Sequence, residues 1–408
     1  MDKKIVISMV TIIGLILGAE TSPQDLQGDV LQPLGEALFE LPENGGIYIP
    51  STPDTIHWGS LPNRSTEPLL TVASGAVVTF DTVSHEGILE DQGRNPLMYF
   101  ARYGVSSNQV LRDAVMIAAS TLAHDFDEDG PHVVTGPVAI EGARPGDVLK
   151  IETLNLTPRV PYGVISSRHG KGALPGEFPE NDAPQSDSSD YSELYNNVSI
   201  FTEIEEAHGE RYAILHNQSG ETIRFVIAPF MGIMGVAPDT QNKVNSVPPN
   251  TYGGNLDINE LGVGSTLYLP VQIPGALFYV GDPHYAQGDG EVALTALEAP
   301  LRGTFRLTLL PAGDASIPGG SPFTHPFAES ADYWIPIGLN IDLDEAMKQA
   351  VREAVNFLSV SVGIERAVAY AYLSAATDFE ISQVVDRTKG VHGLIRKEDF
   401  AETTFQIK

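Results

Sequence analysis

The stretch VGDPHYAQGDGEVALTALE, residues 280–298, places Asp282, His284, Asp289 and Glu291 within ten residues and threads them with glycine. On an extended segment, residues two apart face the same side, so Asp282 and His284 form one such pair and Asp289 and Glu291 a second. The three glycines let the backbone fold tightly enough for several side chains to converge. An imidazole nitrogen and carboxylate oxygens are the donors a hydrolytic zinc uses when one coordination position is kept for water. Calcium loops use similar residue types, but the EF-hand spacing is absent and the flanks read as strands. On these letters alone a polar hairpin turn is an equally good reading.

Other segments carry residues able to join such a centre. In IHWGSLPNRSTEPLLTV and VTFDTVSHEGILEDQGRNP, His57, Asp81, His85 and Glu86 stand near strand ends. They matter only if the fold brings them to His284. In GGNLD, Asn255 is suited to donate to an oxyanion, and Asp257 to bind metal or orient water. An Asx-turn with glycine at positive φ explains the same letters as well. Arg168, His169 and Lys171 form one compact basic spot suited to line a pocket or to pair with acids, with pairing the favoured reading. The chain has no G-x-S-x-G elbow, phosphate-cradling glycine loop or dinucleotide fingerprint. With no cysteine, thiol nucleophiles, disulfides and thiolate metal sites are excluded, and a metal must be held by His, Asp and Glu.

The elements that must position these groups are mostly strands. From about residue 70 to 310, runs such as LLTVASGAVVTFDTV, GDVLKIETLNL, ETIRFVIAPF and GTFRLTLL alternate apolar and polar residues between Gly, Pro and Asp. This predicts a β-sandwich or barrel-like core. Residues 170–195 form a long Gly/Pro/Ser/acid-rich loop. Past residue 311, DLDEAMKQAVREAVNFLSVSV spaces Ala346, Ala350, Val351, Ala354 and Phe357 for a helix, with Asp342 or Asp344 as N-cap. IERAVAYAYLSAATDFEISQVVD predicts a second helix. The expected fold is α+β and mostly β, with a catalytic core over 20–310 and a helical segment over 311–408 packed on it.

Lys3 and Lys4, the apolar run Ile5 to Leu17 and the small residues Gly18 and Ala19 have the order of a signal peptide over residues 1–19. The expectation is a secreted or periplasmic protein without stable membrane insertion after cleavage. A formal net charge of -29 sets nucleic acid and anionic lipid aside as partners.

The segments SGAVVTFDTVSHEG, TGPVAIEGARPGDVLKIE, PFMGIMGVAP, the 252–298 block and TDFEISQVVD resemble, in order, the acetamidase/formamidase family of amide hydrolases. The resemblance implies a β-rich fold, a divalent metal and hydrolysis of short aliphatic amides to a carboxylate and ammonia. It places its weight on Asp282, His284, Asp289 and Glu291, then on Asn255 and Asp257. The FDTVSHEG segment matches less cleanly, with Ser84 and His85 where an acid and a small residue are expected. The expected centre is zinc, with calcium as the alternative, held by His284, Asp282 and either His57 or His85, with Asp81 and Asp289 as further candidates. Glu291 is the expected general base, Asn255 an oxyanion donor and Asp257 a group orienting water. Family analogy also suggests a homo-oligomer. The rival readings are a lactam or ester hydrolase on the same site, and a calcium-stabilised β module that binds without catalysis.

Overall fold

The computed structural model describes residues 28–41, 46–180 and 197–402. Residues 1–19, where a signal peptide is expected, and most of the 170–195 loop lie outside the described residues. Strand makes up 37% of the chain and helix 15%, so the mostly-β α+β expectation holds. Two large sheets carry it, and among the described residues there is no closed barrel.

One sheet has ten strands. Ala76–Asp81 pairs with Leu301–Leu310, which pairs with Val148–Pro158, and the order continues through Thr266–Pro270 to strands from the C-terminal quarter. The other has eleven strands, with Phe278–Ala286 between Phe230–Val236 on one side and Val133–Ile140 and Leu297–Glu298 on the other. The inner faces pack together. Phe80 and Phe305 from the first sheet meet Phe278 from the second at centroid separations of 5.9 and 6.1 Å, inside a core that also holds Ile151, Val134 and Ile233. Alternation puts these residues inward, and interdigitation of two inner faces is what a sandwich requires.

The helix Leu343–Phe357 starts at Asp342, whose carboxylate accepts from the amides of Asp344 and Glu345 at 2.9 and 3.2 Å. It buries Ala346, Ala350, Ala354 and Phe357. Gly338 allows this close approach, because a Cβ there would collide with the helix backbone at Ala346 and Ala350. The second helix, Arg366–Ala376, ends sooner than the sequence suggested. Beyond Thr377, Asp378–Gln383 is a strand paired with Lys389–Arg396. Alternation in DFEISQ wins there over the alanine-rich run before it. The C-terminal segment thus adds strands to the ten-stranded sheet as well as helices. Among the described residues, no helix is long and apolar enough to cross a membrane.

Candidate active site

The strand Phe278–Ala286 is buried on both faces until its last residue, so its polar groups are largely shielded from bulk water. Asp282 and His284 lie on one side of it, with Asp282 Oδ2 3.1 Å from His284 Nε2. Cross-strand register sets Glu298 opposite His284, and Glu298 Oε1 lies 3.0 Å from the same nitrogen. His132, just before Val133–Ile140, brings Nε2 to 3.7 Å from Asp282 Oδ2. His85, just beyond Ala76–Asp81, places Nδ1 3.8 Å from both Asp282 Oδ1 and Glu298 Oε2. On the other side of His284, Asp257 Oδ1 is 3.9 Å from Nδ1, and Glu291 completes a cluster whose donor atoms all lie within 4.8 Å of one another.

The backbone is bent to make this meeting. Asp257, Asp282 and Glu291 have φ values of 51°, 51° and 46°. Non-glycine residues in that region carry a cost on the order of 1–3 kcal/mol each, which persists where the surroundings impose it. Gly232 forms the floor. A Cβ on it would stand 2.5 Å from Asp257 Oδ1, 2.7 Å from Asp282 Oδ2 and 2.8 Å from His284 Cε1.

Five buried carboxylates converge here: Asp257, Asp282, Glu291, Glu298 and Asp386. Among the described residues, none of them is ion-paired with a lysine or arginine. Burial raises Asp257 and Glu291 well above the usual carboxylate range, with Asp386 adding to both. Burial likewise pushes Asp386 up to about 8. Burial works against ionised Asp282, but His132, His284 and His85 outweigh it and hold its pKa low. His132 is pushed down to about 4, by burial first and then by His85 and His284. Burial opposes charge on His284, yet Glu298 and Asp282 raise its pKa well above the ordinary value.

A divalent cation fits these residues. His85 Nδ1 and Nε2, His284 Nδ1 and Nε2, both Asp257 oxygens, Asp282 Oδ1 and Glu298 Oε2 are buried without a hydrogen-bond partner. The oxygens near His284 Nε2 are close enough for hydrogen bonds but out of line for them. Donors bound to one tetrahedral ion at about 2.0–2.1 Å lie roughly 3.3 Å apart, the separation seen around His284. Buried polar atoms left unpaired are costly, and a cation between them removes the cost. His132 is oriented by its Nδ1, 2.9 Å from Ser246 Oγ, the kind of outer contact that fixes a ligating imidazole, while Glu86 Oε1 stands 3.3 Å from His85 Nε2.

Of the residues singled out from the sequence, Asp282, His284, Glu291, Asn255, Asp257 and His85 are brought together. Three are not. Asp81 accepts from Arg302 Nε at 2.6 Å, from Arg302 Nη2 at 2.9 Å and from the Tyr48 hydroxyl at 2.5 Å, and Arg159 lies 3.3 Å away. Its oxygens are committed to those cations, so it belongs to a structural network. His57 pairs with Val134 across the sheet and joins none of the ligand clusters; burial alone lowers its pKa. Asp289 parts from Glu291 because Gly290, at φ 99°, and Glu291 turn the chain between them. The expected strand near Glu291 does not form, and the next one is Leu297–Glu298. Sequence reasoning missed His132, Glu298 and Asp386. Glu298 and Asp386 end the segments GEVALTALE and ISQVVD, so the family resemblance touched them without singling them out. Arg168 pairs with Asp91 at 2.6 Å, as the basic spot suggested.

A cavity of about 420 Å³ opens onto the cluster. His85, His132, Asp282, Glu291, Glu298 and Asp386 line its polar wall. Leu89, Phe126, Val247 and Leu294 give it an apolar side, and Asn255, 1% exposed with Oδ1 unpartnered, also faces it. Lys171 and Arg387 contribute positive charge.

A model of the acetamidase/formamidase family matches residues 119–245 and 240–395. A relative from Schizosaccharomyces pombe is 28% identical over 239 residues, spanning 48% of this chain and 56% of its own length. The formamidase of Methylophilus methylotrophus is 25% identical over 315 residues, spanning 64% of this chain and 75% of that protein. The crystal structure of an acetamidase from Bacillus halodurans, 24% identical, superposes with a TM-score of 0.64 over 87% of this chain and 99% of its own, a shared fold.

Proposed function

The chain belongs to the acetamidase/formamidase family, and on that premise we propose that it is a divalent-metal-dependent amidase, with zinc as the metal, cleaving the C–N bond of small amides to a carboxylate and ammonia. The observation that carries the reading is the set of buried, unpartnered imidazole and carboxylate atoms on the wall of the cavity. His85, His132, Asp282, His284 and Glu298 would hold the ion. A divalent cation there supplies Lewis acidity and lowers the pKa of water.

The chain's own residues do the rest. Asn255 sits on the cavity wall, where its amide can meet the substrate oxygen as negative charge develops on it. Glu291 faces the same space. In its ionised form the carboxylate takes a proton from attacking water and returns it to the departing nitrogen, and the pKa raised by burial and Asp386 makes it the stronger base for that step. Asp257 Oδ1, 3.9 Å from His284 Nδ1, places a carboxyl beside that ring. Leu89, Phe126 and Val247 limit water beside the scissile bond.

One observation favours a larger or cyclic amide among the possible substrates. The cavity would hold roughly a dozen waters at about 30 Å³ each, far more room than formamide needs. The test is metal content of the purified protein, together with ammonia release from formamide, acetamide and butyramide, and opening of a five-membered lactam. Zinc with chelator-sensitive, zinc-restorable turnover supports the proposal. A metal-free protein with no turnover, or calcium without turnover, sinks it in favour of a binding module. Residues 1–19 extend the proposal to export from the cytoplasm: the exported protein should begin near residue 20, as N-terminal sequencing would read, and an intact Met1 in that material removes this part.

A further inference from the structure

A second cluster lies outside the cavity. His392, on the strand Lys389–Arg396, is fully buried, and its Nε2 has no hydrogen-bond partner. Glu260 Oε2 stands 3.2 Å from that nitrogen and Glu380 Oε2 3.7 Å. Neither meets hydrogen-bond geometry, and Glu260 Oε2 is itself buried without a hydrogen-bond partner. The two distances bracket the roughly 3.3 Å between donors on one tetrahedral ion. The other ring nitrogen, Nδ1, lies 2.8 Å from Ser382 Oγ, so the ring is held with Nε2 aimed at the carboxylates. All three donor atoms lie within 4.8 Å of one another.

We propose that Glu260, Glu380 and His392 form a second divalent-cation site of zinc type, separate from the cavity, that staples together the segments carrying the active-site carboxylates. The histidine in the set favours a first-row transition metal or zinc over calcium. The ligands sit on two of the active-site segments: Glu260 three residues after Asp257, and Glu380 and His392 on the two strands flanking Asp386. The same segments are already laced by backbone bonds, Gly290 N to Ser382 O and Val384 N to Gly290 O, both 3.2 Å, and by Gln287 Nε2, which donates to the carbonyls of Asp257 and Ser382 at 3.0 and 3.1 Å. An ion beside this lattice would fix where Glu291 enters the cavity.

The test is zinc stoichiometry by elemental analysis after equilibration with zinc and removal of free metal, on the full chain, His392→Gln and Glu260→Gln, with Tm read with and without zinc. One fewer ion per chain in both variants, and a smaller zinc-dependent rise in Tm, is the expected result. The Glu260 side chain is 17% exposed, so its variant tests the site even if the His392 variant misfolds. Equal stoichiometry in the full chain and Glu260→Gln overturns the proposal. So does a nitrogen NMR spectrum of the zinc-equilibrated protein with both His392 nitrogens protonated, which would make the cluster an imidazolium among carboxylates. Neither readout depends on amidase turnover, so loss of the amidase reading leaves this one standing.

Discussion

At the scale of single residues, the site depends on carboxylates that differ in role although they are alike in chemistry. Glu291 lines the cavity and, by its raised pKa, is suited to proton transfer. Glu291→Gln should lower kcat by about 10²–10⁴, the usual worth of a positioned acid–base group, and leave bound metal unchanged; a variant that keeps full turnover removes Glu291 from the reaction. Asp81 makes the opposite case. Removing one partner of a buried ion pair costs about 3–5 kcal/mol, so Asp81→Asn should lower stability by that order in denaturant titration, because it removes the carboxylate that pairs Arg302 and one of the two that face Arg159. His57→Ala should keep its full metal content in elemental analysis, since His57 joins none of the ligand clusters among the described residues.

At the scale of elements, strand pairing does most of the positioning. Asp282 and His284 are legible as a pair because they are two apart on one strand. Glu298 is not, because only antiparallel register, with an irregularity after His284, sets it opposite that histidine. His132 was invisible for a similar reason: it precedes a strand whose partner is distant in sequence. The C-terminal helix, in contrast, is written locally. Its alanine spacing and N-cap are in the letters, and Asp342 closes it. Asp342→Ala should cost about 0.5–2 kcal/mol in thermal or chemical unfolding, with turnover per folded molecule unaltered. A loss of turnover without loss of stability would mean that this helix end acts on the site.

At the scale of the whole molecule, a chain with a net charge of -29 buries five more-or-less opposed carboxylates in one place. Such an arrangement gains stability from any cation that binds the folded state alone, by about 2.7 kcal/mol when free metal stands at 100 times its Kd. Chelation should therefore lower Tm by several degrees, and re-addition of zinc should restore it; a Tm indifferent to chelation would count against a bound ion. The sequence by itself determined the β-rich class, the C-terminal helix with its cap, the exclusion of thiol chemistry, and the Asp282–His284 nucleus of the site. Each of these follows from local periodicity, from composition or from residues two to four apart. Tertiary structure alone decided that Asp81 pairs with arginines, that His57 stays out, that Asp289 and Glu291 part, and that His132, Glu298 and Asp386 come in. Those outcomes depend on register between distant strands and on positive-φ turns, and the free energy that sets them is summed over the packed sandwich.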